Sequence, residues 1–348
     1  MKSLTNKKIG FLTTPKFEYS VVFLLFFFIC IGLGYPVLNR FSVTSLGALS
    51  DSQLYFSIVK NGLESVVYDP YGRSTRVLVP MLSHYVYLLM PSNLGSWDVA
   101  AFSMLIVSSI FCSLTGLIIF QLGKTISKSV MVGIIASLFY FLNFSISNFY
   151  LVGLVDSAHS FSFAILGYIL FHNKWAWLPV ISFFSTLAKE VFLPLGSVFV
   201  VSWFLYDSFQ TKKIDTFKLW SLFLFIFISF ATVTFLKSYV LDELIYPWQQ
   251  FSVSKGQREY TLDFTLLTVV RFFYVFIWLL PLAIPSIFKL PKNWLISMFL
   301  SVILTILLGL WVSISGAGFG RGVFNVAGVG FCIAAALTID NLFKRMSK

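Results

Sequence analysis

Apolar stretches long enough to cross a bilayer recur along all 348 residues of this chain, separated by short polar breaks. A helix needs about 20 mainly apolar residues to cross roughly 30 Å of hydrocarbon, so the runs predict an all-α, polytopic bundle of membrane helices. The composition agrees: 58% of residues are hydrophobic and 11% charged, which leaves no room for a soluble domain, so residues 1–348 are read as one integral-membrane domain. The 41 Phe and 15 Tyr serve chiefly as lipid-facing bulk and interfacial belts.

Basic residues orient such a bundle, because short cytoplasmic loops collect Lys and Arg. Lys2, Lys7, Lys8 and Lys16 precede the apolar run Tyr19 to Pro36, which reads as a retained signal anchor because no small-x-small cleavage site follows it. Spans are expected at residues 18–38, 97–122, 129–147, 154–171, 219–240, 264–288, 293–314 and 322–341. With these, 15 of the 25 basic residues fall on the cytoplasmic side. Residues 175–206 are too long for one ordinary span, yet Lys174 and Lys212-Lys213 place both ends inside, so they are read as a hairpin of two short helices. Its break is Lys189-Glu190, followed by Pro194. About ten crossings result, with both termini cytoplasmic, interfacial helices in a first outer loop over residues 39–96 and another outer loop over 241–263. The segment from Arg76 to Met90 is assigned to the outer interface. Cys30, Cys112 and Cys332 each fall inside a span and are expected to be buried free thiols.

Read this way, the outer face gathers many charges. A charge at mid-bilayer costs about 2.5–3.5 kcal/mol, so those near apolar surroundings need a wet cavity or a partner. Neighbouring helical residues point roughly 100° apart, so Lys189 and Glu190 are each expected to have a separate partner. Asp51 opens an amphipathic helix that carries Leu54, Tyr55, Ile58 and Val59 on one face, and its plain role is a cap or first-turn acid. Asp156 and His159, three apart, admit a proton-sharing pair, a weak metal site or a helix cap, with capping the default. Arg321 stands in SGAGFGRGVFN, where glycines free the backbone before the final span, and a guanidinium there suits a phosphate, a carboxylate or lipid headgroups. Arg271 falls inside its span and calls for an internal partner, whereas Lys237 lies near enough to the boundary to snorkel. The first loop adds Asp69, Arg73, Arg76 and His84.

The pattern resembles the GT-C superfamily of integral-membrane glycosyltransferases. The residues that carry the resemblance are the run SDSQLYFSIVKNG over 50–62, the run YDPYGRSTRVLVP over 68–80 with its Arg-x-Leu-x-Pro, Asp156 opening a later span, Lys189-Glu190, and Arg321 before the last span. Many members pair two acids in the first loop, whereas here Ser50 and Ser52 flank a single Asp51. The resemblance implies a polyprenyl-phosphate-linked sugar as donor, an unspecified glycan, lipid or protein acceptor, and a site on the extracytoplasmic side of a bacterial inner membrane. It makes Asp51 the general base, gives Arg321 with Lys189 or Arg271 to the donor phosphate, and lets Asp156 and Glu190 orient those cations or the sugar hydroxyls. Asp69, Arg73, Arg76, His84 and His159 complete the candidate substrate-binding set, and a divalent cation is left open as cofactor.

Two other readings stand beside it: a transporter or flippase of a lipid-linked saccharide, since intramembrane charges can line a path, and a non-catalytic relative, for which the single Asp51 argues. A transport path calls for polar residues at mid-depth and on the inner half, and for an internal repeat, which the sequence does not show. The net charge of +11 follows from the cytoplasmic lysines and contact with membrane lipid, not nucleic-acid binding. No phosphate-cradling loop and no Cys or His cluster of zinc spacing occurs.

Overall fold

The computed structural model describes residues 15–40, 50–66, 73–151, 153–241, 244–249, 274–311 and 316–347, together with 266 and 270. Among these the chain is helical throughout, with one isolated bridge between Leu94 and Trp97. The helices are α1 (Pro15–Arg40), α2 (Ser50–Asn61), α3 (Leu78–Leu89), α4 (Val99–Ser127), α5 (Val130–Phe141), α6 (Asp156–Phe171), α7 (Leu178–Ala188), α8 (Phe192–Thr211), α9 (Thr216–Leu241), α10 (Leu279–Ala283), α11 (Lys292–Trp311) and α12 (Gly316–Met346). Six of them are long and apolar enough to cross a membrane: α1, α4, α8, α9, α11 and α12. The chain is thus a multi-pass bundle of apolar helices.

The two central members are α4 and α12, the most enclosed of the six. Around them stand α1, α5 and α6, while α8, α9 and α11 form an outer wall whose Phe223, Phe227, Phe235, Ile303 and Leu307 face outward. Close approach is made by small residues, as expected where lipid removes any hydrophobic drive between helices. A Cβ added to Gly133 of α5 would lie 2.6 Å from the backbone oxygen of Phe120 in α4, so those two helices touch backbone to side chain only because that position carries a hydrogen. Cys30, Cys112 and Cys332 are buried and unpaired thiols.

Two expected spans are interrupted, each for a local reason. The run 129–147 is helical only as far as Phe141, because the side chain of Asn143 accepts from the Ser145 amide and donates 2.8 Å to the Val275 carbonyl, giving the backbone an alternative to the ladder. A π-helical turn, Ile146–Tyr150, follows, closed by the Leu151 amide on the Ile146 carbonyl at 3.1 Å. The described part of the run 264–288 is likewise no single helix: Pro281 and Pro285 lack the N–H that would continue the ladder, and α10 passes directly into a 3-10 turn, Ile284–Lys289. By contrast, the break expected at Lys189-Glu190 is present, although only α7 is short and α8, with 20 residues, is long enough to cross a membrane by itself. α7 and α8 meet at Lys189-Glu190, and Pro194 sits in the first turn of α8, where a missing N–H costs nothing.

Ion pairs show which helix ends lie together. Lys124 near the end of α4 donates to Glu18 near the start of α1 at 2.8 Å, and Lys218 at the start of α9 donates to Asp207 near the end of α8 at 2.8 Å. Following the alternating helices, the ends of α4, α6, α8 and α12 collect at this lysine-rich end, and the starts of α6, α8 and α12 collect at the other. The helices α2 and α3 cover that second end.

Candidate functional site

The start of α6 brings Asp156 to a point where three other segments converge. Its Oδ1 accepts from Lys189 Nζ at 2.8 Å and from Asn325 Nδ2 at 3.1 Å, while Oδ2 lies 3.3 Å from Arg321 Nη1. The carboxylate is 3% exposed and in the first turn of its helix, so the helix N-terminus adds to two cations in offsetting the cost of burying it. Asn325 is held in turn by Tyr150, whose hydroxyl donates to Asn325 Oδ1. The guanidinium of Arg321 lies 5.1 Å above the ring of Phe149.

This arrangement corrects three expectations. Asp156 is the first helical residue of α6, after Val155 at the N-cap, and uses its oxygens on Lys189, Asn325 and Arg321, so the default capping role is not found; it makes no hydrogen bond to His159, so the proton-sharing pair is absent too. His159 is buried one turn further along, edge-on to Phe163 and Phe192, and its Nδ1 has no hydrogen-bond partner. The glycines around Arg321 do not free the backbone; they are the first turns of α12, and Arg321 is helical.

A second node lies beside the first because Lys189 and Glu190 diverge. Lys189 is extended (φ −164°, ψ 123°), which sends the two neighbouring side chains to different partners. Glu190 accepts two parallel bonds from Arg76, Nε to Oε2 at 2.9 Å and Nη2 to Oε1 at 2.7 Å, the fork geometry that suits a guanidinium to a carboxylate. Arg76 Nη1 also lies 3.4 Å from the Tyr55 hydroxyl of α2. Burial opposes the charge on Arg76, but the charge and hydrogen bonds of Glu190, together with Tyr55 and Asp51, outweigh it and hold the guanidinium well above its usual value. Burial pushes the Tyr55 phenol up to about 12.

The third node is Asp51 with Arg73, Nη1 donating to Oδ1 at 2.8 Å. Asp51 is a first-turn acid of α2, and the short 3-10 turn Arg73–Thr75 carries its partner. Since Arg73 and Arg76 stand three residues apart, this one segment clasps α2 on one side and the α7–α8 elbow on the other. Asp51 also lies within electrostatic reach of Tyr55 and Arg76, and Arg76 within reach of Lys189, so the three nodes form one continuous cluster. Its acids differ in exposure: Asp51 is 27% exposed, Glu190 7% and Asp156 3%.

Of the other candidates, His84 lies elsewhere. It bonds the Val59 carbonyl through Nδ1 at 2.8 Å and its ring rests by Gly62, which ties α3 to α2. Lys237 does not snorkel; it is buried, within electrostatic reach of Glu190 and Arg76. Asp69 and Arg271 lie outside the described residues. Sequence reasoning passed over Tyr150, Phe149 and Asn325, although an Asn four residues after Arg321 and followed by a long apolar run was a readable sign of an internal contact.

Compared with known protein families and with curated proteins, the sequence matches none. Its chemistry therefore rests on the geometry above. Among the described residues no group of three or more His, Cys, Asp or Glu side chains could hold a metal ion, and Asp51, Glu190 and Asp156 each face a Lys or Arg where a metal would have to sit. The described cluster does not fit a divalent cation.

Proposed function

We propose that the chain is a membrane glycosyltransferase of GT-C type that moves a sugar from a polyprenyl-phosphate carrier to an acceptor hydroxyl on the extracytoplasmic side. The observation that supports this reading is convergence. Asp51, the Lys189-Glu190 elbow and Arg321, from segments some 130 residues apart, meet at one end of an apolar bundle and are linked by ion pairs. In this orientation the lysine-rich end faces the cytoplasm.

In the proposed reaction the acceptor oxygen attacks the anomeric carbon of the sugar. A new carbon–oxygen bond forms as the bond from that carbon to the carrier phosphate breaks. The acceptor proton passes to Asp51, the most exposed acid of the cluster, and the departing phosphate keeps the electron pair. Arg321 is 22% exposed and, among the described residues, is paired only with Asp156 at 3.3 Å, which leaves N–H groups for that phosphate. Arg73 orients the Asp51 carboxylate, and Asp156 with Lys189 sets the field around Arg321. Attack opposite the phosphate inverts the anomeric centre.

Sidedness favours transfer over transport. Among the described residues the buried Asp, Glu, Lys and His side chains are Asp156, His159, Glu190 and Lys237, all at the Arg321 end. A path across the membrane calls for counterparts in the other half. Purified protein supplied with a panel of polyprenyl-phosphate sugars and of hydroxyl acceptors should release polyprenyl phosphate, and Asp51→Asn should lower turnover by about 10²-fold or more with folding intact. Full turnover by Asp51→Asn would remove Asp51 as the base.

A further inference from the structure

The π-helical turn Ile146–Tyr150 places two consecutive aromatic residues on opposite sides of one site. Phe149 lies beneath the Arg321 guanidinium at 5.1 Å, and Tyr150 is buried and bonds Asn325, which donates to the Asp156 oxygen that Lys189 also uses. An α-helical continuation of α5 would turn successive side chains by about 100° on a regular ladder; the wider turn closed by Leu151 on Ile146 changes that phase, and such bulges gather at functional sites. Among the described residues Arg321 is paired only with Asp156, through one contact at 3.3 Å, and otherwise meets the Phe149 ring.

We propose that Phe149 and Tyr150 are positioning residues that set the plane of the Arg321 guanidinium for a lipid-linked phosphate. This rests on the reading of Arg321 as the phosphate ligand. Phe149 supplies a ring face against one side of the cation at 5.1 Å, which limits how the guanidinium can tilt and leaves its other N–H groups for a ligand. Tyr150 acts at one remove: it orients the Asn325 amide, which holds the Asp156 carboxylate, which in turn faces Arg321. Planar bidentate recognition depends on that orientation, so loosening either support weakens the grip on phosphate without removing a charge.

The test measures binding, not turnover. Purified protein in lipid nanodiscs is titrated with sugar-free polyprenyl monophosphate, and thermal unfolding is recorded for every variant. Arg321→Lys should weaken binding about tenfold or more, because an ammonium cannot reproduce the fork. Phe149→Leu, which keeps apolar bulk but loses the ring face, should weaken it about fivefold, and Phe149→Tyr, which keeps the face, should bind within about twofold of the parent. Tyr150→Phe should weaken binding about threefold at a temperature where the variant is fully folded, although leaving the buried Asn325 oxygen without its donor lowers the unfolding temperature by a few degrees. Parent-like binding by Phe149→Leu and Tyr150→Phe, with Arg321→Lys impaired, overturns the positioning role and leaves the phosphate reading standing. Equal losses in Phe149→Leu and Phe149→Tyr, or binding losses that vanish when measured well below each variant's unfolding temperature, assign the residues to packing and overturn it too. Absence of carrier binding by the parent protein, or parent-like binding by Arg321→Lys, removes the phosphate reading and this inference with it.

Discussion

Replacing Glu190 by Gln is the most informative single perturbation of the fold, because it keeps the side-chain shape and removes only the charge that Arg76 faces. The two bonds at 2.7 and 2.9 Å join side chains that are 14% and 7% exposed, so water can replace little of what is lost. Removing one member of a buried pair costs about 3–5 kcal/mol, chiefly because the other charge stays buried without a counter-charge. The amide of Gln still accepts one bond, and Asp51 remains within electrostatic reach of Arg76, which together place the expected loss near the lower bound, about 3 kcal/mol. Arg76→Met should cost a similar amount by leaving Glu190 stranded. The double variant should cost only about 1–2 kcal/mol, since two neutral groups have no charge to solvate and the 3.4 Å contact to Tyr55 is too long to matter. Reversible unfolding in mixed micelles gives all three values, and the expected coupling energy exceeds about 2 kcal/mol. Single losses that add to the double loss within about 0.5 kcal/mol would show that Arg76 and Glu190 are not energetically linked, and the claim that this pair fastens the outer helices to the elbow would fall.

Three further outcomes are expected. Gly153→Ala should lose about 1–2 kcal/mol and impair turnover, because the residue has φ +86° and its new methyl would lie 2.9 Å from the Phe56 ring of α2; unchanged unfolding and kinetics would refute the close fit of α2 on this turn. Gly133→Ala should destabilise the bundle by about 2 kcal/mol in the same micelle assay, since the obstacle is the rigid backbone of Phe120, and a neutral result would mean that α4 and α5 separate at no cost. In a background lacking the native cysteines, Lys60→Cys and Lys212→Cys should react with a membrane-impermeant maleimide from opposite sides of sealed vesicles; labelling from one side would contradict the two-ended arrangement.

Much of this architecture was legible from charge and apolar length. The elbow at Lys189-Glu190 could be read because two charges and Pro194 interrupt a run too long for one span, and both consequences, a helix break and separate partners, are found. Partner identity was not legible. Asp156 is three residues from His159 but bonds groups 33 and 169 positions away, a choice made by how helices pack rather than by local spacing. Arg321 misled because glycines read as loop formers, yet here they stand in the first turns of a helix, where Gly322 lets α12 pack against Thr305 of α11. The break after Phe141 depended on Asn143 finding the Val275 carbonyl 132 residues away, which no window of sequence contains.

The placement of Arg321 and Asn325 in α12 has a bearing on biogenesis. During synthesis the amino-terminal helices enter the bilayer first, and Asp156 and Lys189 are in place long before α12 leaves the ribosome. Until then, one side of the Asp156 carboxylate has no cation from the same chain to meet it. The last helix is therefore the keystone of the charged cluster, and a chain arrested before it would hold Asp156 without Arg321 or Asn325.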